Sequence, residues 1–196
     1  MKWIILILLP FHGMTVPAQS AYSTRELKEG LFRDDSSYVY TLPFKTGKKV
    51  FLVQGYESPF SHKGERALDF KVKKGTTICA ARAGVVLAVR EDSDRGGLKP
   101  GNLSDGNYIM IRHNDGSVAH YWHLEKNGVM VKTGDTVRTG QQIGTSGHTG
   151  YSAFPHLHFE VQGYDEAGNH VQLPTRFYTR QGIIYLRPGR FYRAIR

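Results

Sequence analysis

The sequence predicts an all-β protein: a small antiparallel β-sheet or sandwich of short strands and glycine turns, with little helix. Three observations lead to this prediction. The 196 residues include 22 glycines and are 40% hydrophobic, which fits a turn-rich globular domain better than a helical bundle or a disordered chain. From Lys48 onward, short runs rich in β-branched and aromatic residues alternate with glycine-containing turns. No long segment has the apolar spacing of an amphipathic helix.

The N-terminus, residues 1–20, has the pattern of a signal peptide. Lys2 supplies a positive charge, residues 3–9 are uninterruptedly apolar, and small residues follow around Ala18. Pro10 interrupts the run well short of the ~20 apolar residues that a membrane span needs. We therefore expect export to the periplasm or the extracellular space, with no transmembrane helix in the mature chain. The alternative is an uncleaved anchor.

Charge and cysteine content narrow the functional classes. The formal net charge is +9, and +8 without Lys2, which for an exported protein favours anionic envelope polymers over nucleic acid as partners. The alternative is a charge that serves only solubility. Cys79 is the single cysteine, so an internal disulfide is excluded. Because it lies in an apolar run, we expect a small buried thiol rather than a nucleophile.

The chain divides into segments by composition. Residues 21–45 form a polar lead-in, and residues 46–175 carry the β pattern of the folded domain. Residues 176–196 contain six arginines, several aromatic residues and no acid, which predicts a basic aromatic hairpin or tail. Two interpretations of this segment stay open: its aromatic residues pack back onto the domain, or its arginines bind anionic envelope polymers.

The strands follow one another at short intervals. The predicted ones that matter for the site are residues 50–53, 67–72, two strands within 77–89, 107–112 and 117–123. The Asp115-Gly116 pair predicts a tight hairpin between the last two. Alternation then places Tyr121 and His123 on one face, with His120 and Trp122 on the other. The long loop 91–106 is predicted to form a functional rim.

The segment 155–161 has the alternation of a β-strand. His156 and His158 therefore share one face, while Leu157 and Phe159 point the other way. Two residues along a strand span about 6.5 Å, which suits one imidazole on a metal and the other beside the metal's open position. The alternative is the ordinary polar face of an amphipathic strand.

Three further side chains can join this pair. His62 stands in a glycine-containing loop, Asp69 lies on the strand that follows, and His123 ends a strand. A catalytic zinc typically takes three protein ligands and keeps a fourth position for water, and nitrogen and carboxylate ligands suit it. Composition fits a zinc site, although spacing over about 90 residues does not define one.

Several motifs follow one another in order over roughly residues 50–162. They are His62 and Asp69, Gly75-Thr76, residues 80–86, Tyr121-Trp122-His123-Leu124, the glycine-rich residues 134–150, and Pro155-His156-Leu157-His158-Phe159. Together they resemble the lysostaphin-type, LytM-like zinc endopeptidases, a family that cuts the peptide part of bacterial cell walls. The resemblance implies the fold known as the duplicated hybrid motif, a zinc peptidase domain over residues 46–175, and peptidoglycan as the substrate.

The resemblance also implies roles for individual residues. His62, Asp69 and His158 would bind one Zn²⁺ per chain, while His123 and His156 would act on the water and the substrate. One departure is that more residues separate His62 from Asp69 than the three common in the family's best-known members, so this loop must bulge outward. The alternative function is a non-catalytic envelope module that binds peptidoglycan or activates a partner hydrolase.

Weaker candidates complete the expected site. Tyr56, Asn107 and His148 are candidates for the substrate groove, against a buried tyrosine, ordinary turn chemistry and an exposed turn histidine as the respective alternatives. Glu160 shares the face of the two strand histidines and is a candidate to orient an imidazole. The basic charge alone does not predict nucleic-acid binding in an exported protein.

Overall fold

The computed structural model describes residues 39–165 and 168–195. The expected signal peptide and the lead-in up to residue 38 lie outside the described residues. Within the described part, no helix has the length and apolar character that crossing a membrane requires.

The described residues confirm the all-β prediction. They contain one 3-10 helix, Pro100–Asp105, and otherwise strands and turns. The strands are β1 (Val39–Tyr40), β2 (Lys49–Gln54), β3 (Ala67–Lys71), β4 (Thr77–Cys79), β5 (Gly84–Arg90), β6 (Gly96–Gly97), β7 (Tyr108–Arg112), β8 (Val118–Trp122), β9 (Leu124–Val129), β10 (Thr136–Val137), β11 (Gln142–Ser146), β12 (Gly150–Tyr151), β13 (His156–Tyr164), β14 (His170–Gln172), β15 (Arg176–Thr179), β16 (Gly182–Ile184) and β17 (Arg190–Arg193).

One large antiparallel sheet organises the molecule. Its strand order is β10-β5-β7-β8-β13-β3-β2-β17, and β14 pairs with the far end of β13. Smaller sheets have the orders β4-β11-β9 and β1-β15-β16, and β12 pairs with β6. The longest strand, β13, lies between β3 and β8. These three strands carry most of the predicted site.

The predicted hairpin joins β7 to β8. Gly116 has φ of +84°, a left-handed conformation that glycine adopts without a steric penalty. The pairing runs from Tyr108 opposite Trp122 to Arg112 opposite Val118. The Asp-Gly signal is therefore confirmed.

The core lies on one face of the three central strands. Phe159 is fully buried, and its ring centroid is 5.2 Å from that of Tyr121, 5.9 Å from that of Phe177 and 6.0 Å from that of Tyr40. Tyr40 and Phe177 belong to the β1-β15-β16 sheet, so this sheet packs against the core face. Burying such rings is the main stabilising contribution to a fold of this kind.

The C-terminal segment is part of the folded unit. β15 and β16 pair as an antiparallel hairpin, and β17 pairs with β2 at the edge of the large sheet. Phe177 and Tyr192 are buried, while Arg190 and Arg193 are exposed. The segment therefore contributes apolar groups to the core and cations to the surface.

Cys79 is a buried free thiol, as predicted. It ends β4 and is 3% exposed, and burial raises the pKa of its thiol. A buried thiol with a raised pKa is a poor nucleophile. No role in the chemistry of the site is assigned to it.

Candidate metal centre and active site

The predicted histidine pair lies on the face of β13 opposite the core. Leu157 and Phe159 are fully buried, and His156 and His158 therefore point to the other side of the sheet. His158 is directly opposite Asp69 on β3 and opposite Trp122 on β8. Residues that face each other across antiparallel strands have side chains on the same face. Strand register alone thus brings a carboxylate beside the second histidine.

Asp69 is the centre of the cluster. Its Oδ1 is 3.0 Å from His158 Nδ1 and 3.5 Å from His156 Nε2, and its Oδ2 is 3.2 Å from His62 Nε2. The side chain is almost fully buried. Burial alone would raise the pKa of Asp69, but the contacts with His158 and His62 outweigh it and hold this pKa well below its usual range. The carboxylate is therefore ionised, and three imidazoles surround it.

Backbone carbonyls fix the tautomer of two of these imidazoles. His62 Nδ1 lies 3.2 Å from the carbonyl oxygen of Gly55, and His156 Nδ1 lies 2.7 Å from that of Phe154. A carbonyl oxygen only accepts hydrogen bonds, so each Nδ1 carries the hydrogen and each Nε2 keeps its lone pair. Both lone pairs consequently face the Asp69 carboxylate, an arrangement that a cation bound at this position would stabilise.

His123 enters the site from just beyond the end of β8. Its Nδ1 donates to the Thr149 carbonyl at 2.6 Å, and its ring centroid is 4.5 Å from that of His156. Burial, together with the neighbouring His156 and His158, lowers the pKa of His123 to about 3. The imidazole is therefore neutral at pH 7, with its Nε2 able to accept a proton.

The prediction that Tyr121 and His123 share a face is wrong. Tyr121 is fully buried in the core, whereas Trp122 and His123 line the site. The reason is local: β8 ends at Trp122, and His123 has φ of +64°, a left-handed conformation that is uncommon for residues other than glycine. Strand alternation stops there, and the backbone turns the imidazole toward the site. Such strain is found preferentially at functional sites.

Glu160 lies behind His158. Its Oε2 is 3.9 Å from His158 Nε2, and its Oε1 accepts a hydrogen bond of 2.7 Å from Gln162 Nε2. Gln172 also donates to this carboxylate, and His120 Nδ1 is 3.4 Å away. Burial alone would lower the pKa of His158, but Asp69 and Glu160 raise it to about 10. Glu160 therefore lies in a position from which it can orient the His158 ring.

Sequence reasoning missed Gln54. This side chain ends β2 and pairs with Asp69 across the strands, and its Nε2 donates to Asp69 Oδ2 at 2.6 Å and to Ser61 Oγ at 2.8 Å. Its Oε1 is buried and has no hydrogen-bond partner among the described residues. Gln54 therefore holds the central carboxylate in place. No motif signals it, and only the pairing of β2 with β3 reveals it.

The three weaker groove candidates lie away from the groove lining. Tyr56 is buried, and its hydroxyl is 2.7 Å from Thr175 Oγ1. Asn107 is also buried, where its side chain bonds to the backbone of Ser93. His148 Nδ1 is 3.0 Å from Ser152 Oγ. All three contacts hold neighbouring segments of the protein together.

His148 and Asn107 are nevertheless connected to the imidazoles of the site. Ser152 Oγ is 3.2 Å from His156 Nδ1, so His148 reaches the site through one intervening hydroxyl. The backbone N–H of Asn107 donates to Thr149 Oγ1 at 3.0 Å, and the carbonyl of Thr149 holds His123. These two residues support the site from behind.

A groove of about 820 Å³ runs over the cluster. Its apolar walls include Phe60, Leu98, Leu103 and Tyr151, and the first three are more than half exposed. Leu98 and Leu103 belong to the loop predicted to form a rim, which is thereby placed on the groove. A concave surface with apolar walls and a few convergent polar groups is typical of a ligand site.

The donor set fits a zinc ion. His62 Nε2, the Asp69 carboxylate and His158 Nδ1 converge, and they are two imidazole nitrogens and one carboxylate, the ligand types of catalytic zinc sites. The second nitrogen of His62 faces a carbonyl and that of His158 faces Glu160, as is usual for metal-binding histidines. The buried negative charge of Asp69 supplies the electrostatic reason for a cation here.

Two overlapping triads have ligand atoms within 4.8 Å of one another. One consists of His123, His156 and His158, and the other of His62, Glu65 and His158. His158 is common to both, and Asp69 contacts His62, His156 and His158, so the predicted catalytic and metal residues lie in one continuous cluster. Glu65 is a second residue that sequence reasoning missed.

Comparisons with known proteins identify the family of this chain. The sequence profile of Peptidase family M23 matches residues 63–172, more than half of the chain. The peptidoglycan DD-endopeptidase ShyC of Vibrio cholerae is 40% identical over 114 residues, covering 57% of this chain and 24% of that protein. The glycyl-glycine endopeptidase ALE-1 of Staphylococcus capitis is 41% identical over 115 residues, covering 59% of this chain and 29% of that protein. The chain thus spans only about a quarter of the length of these relatives.

A solved structure shows the shared fold. Pseudoalterin, a novel M23 metalloprotease from the deep sea, superimposes with a TM-score of 0.51 over 82% of this chain and 98% of that chain, at 19% identity. The resemblance to lysostaphin-type endopeptidases that the motifs predict is therefore confirmed, and the chain belongs to Peptidase family M23.

Proposed function

We propose that this protein is an exported zinc metalloendopeptidase that hydrolyses peptide bonds in the stem peptides or cross-links of peptidoglycan. Membership of Peptidase family M23 and the similarity to endopeptidases such as ShyC and ALE-1 support this proposal. The observation that carries it is the buried Asp69 carboxylate, which three imidazoles surround at the floor of an open groove.

The chain's own residues would divide the work of the metal site. His62, Asp69 and His158 would hold one Zn²⁺, which when bound lowers the pKa of a water molecule and polarises a carbonyl group. Gln54 keeps the Asp69 carboxylate in position, and Glu160 faces the remaining nitrogen of His158. Groups that orient ligands in this way typically matter to metal affinity by 10- to 100-fold.

His123 and His156 would form the acid–base pair. Each has its Nδ1 hydrogen committed to a backbone carbonyl, so each Nε2 carries a lone pair, and that of His156 lies 3.5 Å from Asp69 Oδ1. One of them takes the proton of the attacking water, and the other, once protonated, stabilises the oxyanion of the tetrahedral intermediate. Their rings are 4.5 Å apart, so both can act on one scissile peptide bond.

The groove would receive the peptide. The imidazoles are part of its lining, and Phe60, Leu98 and Leu103 provide exposed apolar contact area. An extended peptide laid across the floor brings a carbonyl carbon to the metal site and its flanking groups to the walls. The alternative of a non-catalytic envelope module has less support, because the five predicted metal and catalytic residues are all present and adjacent.

The most informative experiment is mass spectrometry of the products released from purified sacculi of several cross-link chemistries. We expect the wild-type protein to release cut muropeptides, and a chelator or Asp69→Ala to reduce release by at least about 1,000-fold, since a metal contributes several kcal/mol to such a reaction. Asp94→Ala is the matched control, because it removes an exposed carboxylate paired with Lys126. Wild-type protein that releases nothing from any sacculus would overturn the proposal.

The segment assignments are further proposals. We infer that residues 1–20 direct export, that residues 21–45 are a lead-in whose described end packs on the core, and that residues 46–175 form the peptidase domain, to which the strands of the basic segment are joined. N-terminal sequencing of the protein recovered from the envelope fraction tests the first of these. A secreted protein that begins near residue 20 supports a cleaved signal, whereas one that begins at Met1 contradicts it.

We also propose that the arginine-rich C-terminal segment, together with the lysines beside it, binds anionic envelope polymers. Arg193 on β17 donates to the carbonyl of Gly47 at 2.7 Å, in the turn that separates Lys45 from Lys48. A cavity of about 470 Å³ lies at this turn. The charged residues that line it are four lysines: Lys45, Lys48, Lys73 and Lys74. Five cations on one surface favour a polyanion.

Inorganic polyphosphate serves as the probe for this surface. The wild-type protein should bind it in a salt-sensitive manner, and replacing the four lysines with alanine should weaken binding by about tenfold or more, because several ion pairs are lost together. The control replaces four lysines outside the cavity lining, Lys63, Lys99, Lys126 and Lys132, and so removes the same charge. Equal binding by both variants would contradict the assignment.

A further inference from the structure

Glu65 lies on the loop between His62 and Asp69. This loop is longer than the three residues that separate the corresponding His and Asp in the best-known members of the family. Two backbone hydrogen bonds fix its position: its N–H donates to the His62 carbonyl at 2.9 Å, and its own carbonyl accepts from Glu57 at 2.7 Å. Gly64, with φ of +79°, makes the turn that brings the chain back toward the site. The bulge therefore folds over the cluster and carries a carboxylate with it.

The carboxylate of Glu65 lies near two of the three proposed metal ligands. It is within 4.8 Å of ligand nitrogens of both His62 and His158, and the residue lines the groove. Nothing in the described part of the chain donates a hydrogen bond to this carboxylate or pairs with it as a cation. Other carboxylates near the site differ in this respect, since Asp69 and Glu160 each accept hydrogen bonds from glutamine side chains. Glu65 is thus a carboxylate that the fold brings to the cluster without giving it a partner.

We propose that Glu65 is a further ligand of the metal ion that His62, Asp69 and His158 hold. The proposal rests on the zinc site of the proposed function. An added oxygen ligand would complete the four-ligand set that zinc prefers in the protein free of peptide. It would also bring the second negative charge needed to balance a divalent cation beside Asp69. The substrate carbonyl or the water would then displace Glu65 when a peptide enters the groove.

Metal binding, rather than turnover, provides the test. Zinc affinity is measured by competition with a chelating dye, and the ligand set is read from the visible absorption of the Co²⁺-substituted protein. Glu65→Gln should weaken zinc affinity by about tenfold or more and change the Co²⁺ spectrum, because an oxygen ligand is lost. Glu65→Asp keeps the charge but shortens the side chain by one methylene, and it should behave like Glu65→Gln.

Asp92→Asn is the matched control. Asp92 is an exposed carboxylate paired with Arg90, and it is not part of the groove lining, so its loss changes the net charge equally. Spectra and affinities of Glu65→Gln that match those of Asp92→Asn would overturn the inference. So would a Glu65→Asp variant with wild-type affinity, since charge rather than ligation would then explain the effect.

The same measurements separate this inference from the proposed function. If wild-type protein binds zinc and Asp69→Ala does not, the metal site stands whatever the outcome at Glu65. If wild-type protein binds no zinc, both proposals fail together. A metal site that is intact and indifferent to Glu65 overturns only the further inference.

Discussion

The two faces of the strands β3, β8 and β13 differ in almost every physical respect, although one residue alternates with the next along the same backbone. One face carries apolar side chains that are at most 1% exposed: Leu68, Phe70, Tyr121, Leu157, Phe159 and Val161. The other carries ionisable or polar groups, also largely buried: Asp69, His120, Trp122, His156, His158 and Glu160. The first is referred to below as the core face and the second as the site face.

The comparison shows that the core face stabilises the fold, whereas the site face costs folding free energy. The core face is stabilised by removing rings from water, at roughly 25 cal/mol per Å² of apolar surface. The site face buries the carboxylates of Asp69 and Glu160, which costs free energy unless a cation pairs with them. The core face therefore needs no ligand to be stable, whereas a cation bound at the site face would stabilise its buried carboxylates.

The largest expected effect comes from the site face. His158→Ala should weaken zinc affinity by more than about 100-fold and reduce muropeptide release at least about 1,000-fold, because a ligand and its contact with Asp69 disappear together. Zinc titration of the purified variant measures the first effect. A His158→Ala protein that keeps one tightly bound zinc would contradict the assignment of the ligands.

His156→Ala sharpens the comparison within the site face. Its Nε2 lies in the site, but we assign it to the reacting groups and not to the metal. The variant should retain zinc and lose about 100- to 10,000-fold in turnover, the range typical of a general acid or base. Zinc content and kcat are measured on the same preparation. Loss of metal here would mean that the two strand histidines have been given the wrong roles.

Phe159→Ala tests the core face one residue away from His158. The ring is fully buried against Tyr40, Tyr121 and Phe177, so its removal should lower the free energy of unfolding by about 3–5 kcal/mol. Denaturant unfolding measures this change. The folded fraction should still bind one zinc per chain, whereas destabilisation below 1 kcal/mol would contradict the packing described.

His113 offers a smaller effect, far from the metal ligands. Burial lowers the pKa of this imidazole, which packs against Tyr40 and whose Nδ1 lies 2.8 Å from the Ala83 carbonyl. The unfolded chain takes up a proton near pH 6.5, whereas the folded protein takes it up only at a lower pH, so stability falls as the pH drops below the ordinary pKa of histidine. Between pH 7.5 and 5.5, His113→Asn should lose less stability than the wild type does.

Unfolding curves at the two pH values measure this difference, and His170→Asn is the control because that histidine is exposed. Equal pH dependence in the wild type and in His113→Asn would show that the imidazole is not held neutral by burial.

The sequence predicted the parts of the site that follow from strand periodicity. Alternation along residues 155–161 gives the two faces of β13, and the same rule failed at His123 because its positive φ lies beyond the strand end. Gln54 was missed because the predicted strand ended at residue 53, and because its position opposite Asp69 follows a register shift that no local pattern encodes. Pairing between distant strands is a property of the whole fold.

Loop residues illustrate the same limit. The long interval between His62 and Asp69 predicted a bulge, but the direction in which Glu65 points depends on hydrogen bonds that form only in the folded chain. Asn107 and His148 were expected at the groove, and the structure places them one contact behind it, where they hold other groups of the site. The residue types suggested that Asn107 and His148 belong to the site. Only the packing of the folded chain shows that they hold other site residues in place and do not line the groove.

Zinc stoichiometry tests the central claim most directly. Metal-free wild-type protein is equilibrated with excess zinc, dialysed and analysed for bound metal, alongside Asp69→Ala. The account predicts one zinc per chain in the wild type and none in Asp69→Ala, because that carboxylate is the centre on which the imidazoles converge. A wild-type protein without zinc, or equal zinc in the two proteins, would contradict it.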